Sequence, residues 1–115
     1  MKLTISNLLE IPDIASLRVL VARKWPGLRA KEEVDQWDPD LAASVELSHL
    51  LTSKRISESK FVEQYRKELE SNYSLVPWLA AIANNSGLTL VFDPSDPTTE
   101  VCVKILAEQV SVSSS

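Results

Sequence analysis

RVLVARKWPGLRAKEEVDQW, residues 18–37, places a short apolar run directly before a cationic Trp-Pro-Gly turn. The four residues after Arg18 are all apolar and two of them are β-branched. This pattern predicts a central strand over residues 18–22 that is buried on both faces. Arg23, Lys24 and Trp25 follow where the strand leaves the core, so their side chains are available at the edge of the predicted sheet.

Length and composition predict one globular domain over residues 1–110, followed by a disordered tail at 111–115. The net charge of −4 argues against a nucleic-acid partner, which would need a surplus of Lys and Arg. No apolar run is long enough for a membrane span, and the first residues lack a basic segment followed by an apolar signal core. We therefore expect a cytoplasmic protein without a membrane partner, and self-association stays open.

Cysteine, histidine and glycine are scarce in this chain. Cys102 is the single cysteine and His49 the single histidine, so neither an internal disulfide nor a structural zinc site is expected. With only two glycines, the chain also lacks a glycine-rich phosphate-binding loop. We expect no metal and no cofactor. Cys102 falls on an apolar helix stripe, which favours a buried, inert thiol over a nucleophile.

The remaining elements follow from local periodicity and capping residues. Residues 2–7 alternate and predict an edge strand, whereas residues 8–17 show no clear period and are interpreted as a loop or one helical turn. Asp38 resembles a helix N-cap followed by proline, which predicts one helix running to Leu51 with Val45 on its buried side. His49 would then lie on the helix surface.

Two further helices and a second apolar strand complete the pattern. A stripe of Phe61, Val62, Tyr65 and Leu69 predicts a core-packing helix that begins near Ser59. A second helix, from about Ser74, ends at Gly87, which suits a left-handed cap. LTLVF at 88–92 is again an apolar strand, and Asp96 followed by proline predicts the start of a final helix.

Helices lie between the two apolar strands, so the connection is a crossover and the strands should be parallel. The prediction is a small α/β domain with a mostly parallel sheet of about three strands, covered by helices. Since carboxyl ends of parallel strands share one edge, Arg23, Lys24 and Trp25 should approach Asp93 and Asp96.

The stretches RVLVARKWPGL, AASVELSHLL, FVEQYRKEL and LTLVF, in this order, resemble the YeaO-like family of uncharacterised proteins, domain of unknown function 488. The resemblance spans residues 18–92 and implies a compact cytosolic α/β protein without an established activity. The positions that match the family pattern are Arg23, Trp25, Pro26, Gly27, Ser44, Glu46, Leu47, Phe61, Tyr65 and Leu69.

Departures from the family pattern fall around the expected site. The family's aspartate before the Trp-Pro turn is Ala22 here, and DPSDPTTEVCV replaces the histidine-bearing segment that usually follows the last strand. One arginine of the family's turn is also missing. These differences imply a divergent member that has kept the scaffold and altered the site.

The candidate ligand or partner surface consists of Arg23, Lys24, Trp25, Glu46, Asp93 and Asp96. Each residue also has a structural alternative. The charged residues at the sheet edge could pair with one another, Trp25 could cap the core rather than stack on a ligand, and Glu46 could complement a helix dipole.

Two functions fit these residues. The preferred hypothesis is a non-catalytic binding or accessory module that uses the Trp-Pro-Gly turn and the carboxyl edge of the sheet. The alternative is a small enzyme in which Glu46 or Asp93 acts as a base and Arg23 clamps an anionic substrate. The enzyme requires Glu46, Asp93 and Arg23 to converge on one open volume, whereas a module does not.

Overall fold

Four parallel strands form one sheet in the computed structural model, which describes residues 2–8, 16–23, 34–71 and 74–113. The strands are β1 (Leu3–Asn7), β2 (Leu17–Leu20), β3 (Gln36–Trp37) and β4 (Leu88–Phe92), in the spatial order β1-β4-β2-β3. Every pairing is parallel. The predicted parallel α/β architecture and the edge position of β1 are confirmed, although the sheet has four strands rather than about three.

β2 is buried on both faces, as its apolar run predicts. Val19 and Val21 join the larger core under the helices, whereas Leu20 and Ala22 join a smaller cluster with Val91 on the other face. Regular pairing ends at Leu20, but the Val21 N–H still donates to the Val91 carbonyl at 2.9 Å. The chain therefore stays attached to the sheet until it reaches Arg23.

β3 was not expected from the sequence, where its two residues lie in a charged stretch. It is held beside β2 through Asp35, whose N–H donates to the Arg18 carbonyl at 2.8 Å. The Asp35 carboxylate in turn accepts from the Arg18 N–H at 2.9 Å and from the guanidinium at 3.2 Å. These bonds to Asp35 lower its pKa, and the Arg18 side-chain bond has the largest effect.

Four α-helices occur in the described ranges. They are α1 (Val45–Thr52), α2 (Glu58–Ser71), α3 (Leu75–Asn85) and α4 (Pro97–Ser113). The predicted stripe of α2 is confirmed, with three of its side chains, Phe61, Tyr65 and Leu69, fully buried. α4 runs to Ser113 and so continues into the segment predicted as a tail. None of the helices in these ranges combines the length and apolar character that a membrane crossing requires.

Two predicted helix-terminal residues have their expected roles. Asp96 accepts from the Thr98 N–H at 3.1 Å, and Pro97 is the first residue of α4. Gly87 has φ +91°, and a Cβ there would lie 3.3 Å from the Cβ atoms of both Lys2 and Ser16. Gly87 therefore provides both the backbone angle and the space that the start of β4 needs.

The single helix predicted from Asp38 to Leu51 is wrong. Asp38 does act as an N-cap, accepting from the Asp40 N–H at 3.0 Å, but the helix that follows is a short 3-10 turn, Pro39–Leu41. Ala42 then has extended backbone, and Ser44 caps the separate helix α1. The break re-aims α1, so that Val45, predicted as buried, is 56% exposed.

Candidate functional site

Arg23, at the carboxyl end of β2, holds the chain that connects the 3-10 turn to α1. Its Nη2 donates to the Ala42 carbonyl at 2.9 Å and its Nε to the Ala43 carbonyl at 3.3 Å. Its Nη1 contacts the Asp40 carboxylate at 3.2 Å. These contacts replace the pairing of Arg23 with Asp93 or Asp96 that was considered from the sequence, and two of the three guanidinium nitrogens donate to backbone carbonyls.

Two side chains of α2 hold the same segment, residues 41–44, from the other side. The buried Tyr65 hydroxyl donates to the Leu41 carbonyl. The Glu68 carboxylate accepts from the Ser44 N–H at 2.8 Å and from the Ser44 hydroxyl at 2.6 Å. Ser44 Oγ then accepts from the Leu47 N–H at 3.3 Å, as an N-cap does. The position of α1 is thus set by bonds from Arg23, which follows β2, and from α2.

One face of α1 borders a cleft at the carboxyl edge of the sheet, which we call the Arg23 cleft. Its volume is about 190 Å³, and the described residues that line it are Arg23, Val45, Ser48, His49, Thr52 and Asp96. The α1 residues are spaced at i, i+3, i+4 and i+7, as one helical face requires. Arg23 and Asp96 therefore do border a common space. His49 lies on the helix surface, as predicted.

The sequence did not indicate that Val45, Ser48 and Thr52 line this cleft. Their spacing was a usable signal, but the interpretation assigned Val45 to the core face of a longer helix. With Ser44 as the N-cap, the helix starts later and Val45 turns outward. Its exposed side chain adds an apolar contact to an otherwise polar cleft.

Glu46 borders a different space, between α1 and α2, which we call the Glu46 cleft. Its volume is about 310 Å³, and it is lined by Ser44, Glu46, Leu47, Leu50, Ile56, Lys60, Gln64 and Glu68. Glu46 thus lies on a different face of α1 from the residues that line the Arg23 cleft. The geometry that the enzyme alternative needs, with Glu46 and Arg23 on one volume, does not occur in the described part of the chain.

The two aspartates after β4 organise their own turn. Asp93 Oδ1 accepts from the Ser95 N–H at 2.9 Å and from the Ser95 hydroxyl at 2.7 Å. Asp93 is not among the described residues that line the Arg23 cleft, whereas Asp96 is. Lys24 and Trp25, the other two predicted surface residues, lie outside the described residues.

Cys102 lies beneath the site with the properties of an inert thiol. It is 1% exposed, and burial raises its pKa to about 12. Burial likewise raises the pKa of Tyr65 well above its usual value. Because a thiolate is the nucleophilic form, this thiol is poorly suited to attack a substrate. No group of three or more metal-ligating side chains occurs among the residues that the structure describes.

Comparisons with known proteins identify relatives of this chain. The family model described as the inactive DUF488-N3 subclade matches residues 7–114. The uncharacterized protein YeaO of Escherichia coli strain K12 is 32% identical over 93 residues, which cover 79% of this chain and 80% of the relative. No solved structure gave a significant match.

Proposed function

The chain belongs to the inactive DUF488-N3 subclade, and on this basis we propose that it is a non-catalytic binding or accessory module. The proposed contact surface is the Arg23 cleft together with residues 24–27, which directly follow Arg23 in the sequence. The relative YeaO is likewise named as an uncharacterized protein. Membership in a subclade described as inactive supports a role in binding rather than in catalysis.

The separation of the candidate catalytic groups is the observation that carries this proposal. Arg23 directs its guanidinium to the Ala42 and Ala43 carbonyls and to Asp40, which leaves few donors for a substrate anion. Glu46 borders the other cleft. A base and an electrostatic clamp must lie within reach of one reacting group, so this arrangement favours a module.

The lining of the Arg23 cleft suits contact with a partner of mixed polarity. Val45 offers exposed apolar surface, and His49, Ser48 and Asp96 surround it with groups that can form hydrogen bonds. The net charge of −4 disfavours nucleic acid as the partner. We further propose a cytoplasmic location, where a lone thiol such as Cys102 stays reduced.

Blocking the cleft tests the proposal. Ser48→Arg places a long cationic side chain in the Arg23 cleft, and Ser59→Arg makes the same change at an exposed position of α2 outside it. Parent and variants are immobilised at equal folded concentration, and molecules captured from native cytosol are quantified by mass spectrometry.

We expect at least one captured molecule to fall about tenfold with Ser48→Arg and to be retained with Ser59→Arg, since about 1.4 kcal/mol of lost contact corresponds to that factor. The captured molecule is then purified and its direct binding is measured with the same three proteins. Equal capture by parent and Ser48→Arg would rule out the cleft as the contact surface. Circular dichroism confirms that both variants are folded.

A further inference from the structure

We propose that the Glu46 cleft is a second binding site, which takes the side chain of a lysine presented by a basic peptide. This site lies between α1 and α2, on a different face of α1 from the Arg23 cleft. It does not depend on the function proposed for the Arg23 cleft.

The floor of the Glu46 cleft is apolar. Leu47 is buried, and Leu50 and Ile56 are half-buried along the space between the two helices. The volume of about 310 Å³ accommodates one extended aliphatic side chain. A lysine stem of four methylene groups can cover such apolar surface while its ammonium group stays at the rim.

The rim of the cleft carries carboxylates that can accept more hydrogen bonds. The exposed Glu46 side chain forms no hydrogen bond or ion pair with any other residue that the structure describes. Each Glu68 oxygen accepts one bond from Ser44 and keeps acceptor capacity. Lys60, also at the rim, contacts Glu63 on its own helix at 3.7 Å, so its charge is partly compensated outside the cleft.

Charge complementarity decides between ligand classes. The carboxylates of Glu46 and Glu68 repel an anion and attract a cation, and the net charge of −4 adds a general attraction for basic partners. A lysine stem has one methylene group more than an arginine stem, so it covers more of the apolar floor, and its three N–H donors can be shared between the two carboxylates. The ligand class that follows is an aliphatic primary ammonium.

Titration with defined peptides tests the assignment. The probe is a blocked Gly-Gly-Lys-Gly-Gly peptide, added to the isotope-labelled full chain while amide NMR signals are followed. We expect shifts in α1 and around Lys60, Gln64 and Glu68 of α2, and these shifts should weaken with added salt. The same peptide with an acetylated lysine keeps the stem but loses the charge, and should produce no such shifts.

Two glutamate variants locate the site. Glu46→Gln should weaken peptide binding about two- to fivefold, as loss of one exposed charge contact does. Glu70→Gln, at an exposed position of α2 that does not line the cleft, should leave peptide binding unchanged. Unfolding curves for both variants confirm that the fold is retained.

Several results would overturn the proposal. Equal binding of the acetylated peptide would exclude recognition of the ammonium group. If Glu70→Gln weakens peptide binding as much as Glu46→Gln does, the loss reflects the change in net charge rather than a contact in the cleft. Shifts confined to the Arg23 cleft would place the peptide elsewhere. If cadaverine binds as tightly as the peptide, the ligand is a free amine rather than a peptide.

Discussion

Glu68 on α2 accepts hydrogen bonds from both the N–H and the hydroxyl of Ser44, so the N-terminus of α1 is fixed by a carboxylate from the neighbouring helix. Glu68→Gln keeps the shape but retains only one oxygen as an acceptor. We expect a loss of about 1 to 2 kcal/mol in the free energy of unfolding, as for a charge-assisted bond in a half-buried site.

Urea titration measures this loss, with Glu63→Gln as the control. Glu63 lies on the same helix, and its side chain forms exposed ion pairs with Lys60 and Lys67. Its substitution should cost under about 0.5 kcal/mol. If the two variants are equally stable, the contact with Ser44 does not position α1.

Arg23→Lys should destabilise the protein although it preserves the charge. One ammonium group cannot reproduce the bonds from separate guanidinium nitrogens to Ala42, Ala43 and Asp40. We expect a cost of about 1 to 3 kcal/mol, because at least one partly buried carbonyl loses its donor. A change within about 0.5 kcal/mol in urea titration, typical of an ordinary surface residue, would contradict this role.

Cys102 should resist thiol reagents in the native protein and react on unfolding. The thiol is buried and its raised pKa, about 12, keeps it protonated at neutral pH. Labelling with a maleimide is followed by mass spectrometry with and without denaturant. Prompt labelling of the native protein would show that the thiol is accessible.

The same raised pKa predicts a loss of stability at high pH. In the unfolded chain the thiol has its ordinary pKa of 9.0, so above that value the unfolded state releases a proton that the folded state keeps. The free energy of unfolding should therefore fall as the pH rises from about 9 towards 12. Urea midpoints at about pH 8 and about pH 10 test this, and Cys102→Ala should show a smaller decrease.

The lowered pKa of Asp35 predicts a smaller loss of stability, which occurs as the pH falls rather than as it rises. Its bonds to Arg18 lower its pKa below the ordinary value of 3.8, so its contribution to stability is present above that value and is lost as the pH falls through the folded pKa. Because the pair is about a third exposed, we expect under about 1 kcal/mol. Asp35→Asn should flatten the acid end of the stability profile; an unchanged profile would contradict the assignment.

The sequence predicted the features that depend on near neighbours. These features are the burial of β2 and β4, the apolar stripe of α2, and the caps at Gly87 and Asp96. Each follows from residues that are close together in the sequence. β3 was not predicted, because two residues are too few to show an alternation and because the strand depends on the bond between Asp35 and Arg18.

The site was predicted less well, because its geometry depends on contacts between distant parts of the chain. The break after Leu41 is stabilised by Tyr65 and Glu68 from α2 and by Arg23, which follows β2. Bonds between residues so distant in the sequence leave no local sequence pattern from which they could be predicted. The edge position of Arg23 and Asp96 could be predicted from topology alone, whereas the outward turn of Val45 could not.

The order of strands also determines when the sheet can be assembled. β4 lies between β1 and β2, with Leu88 aligned with both Leu3 and Leu17, yet it is the last strand in the chain. During synthesis on the ribosome, β1 and β2 must therefore wait for their shared partner until most of the chain has emerged. Contacts between such distant residues slow folding, and the edges of β1 and β2 that β4 will cover are exposed to misassociation during that interval.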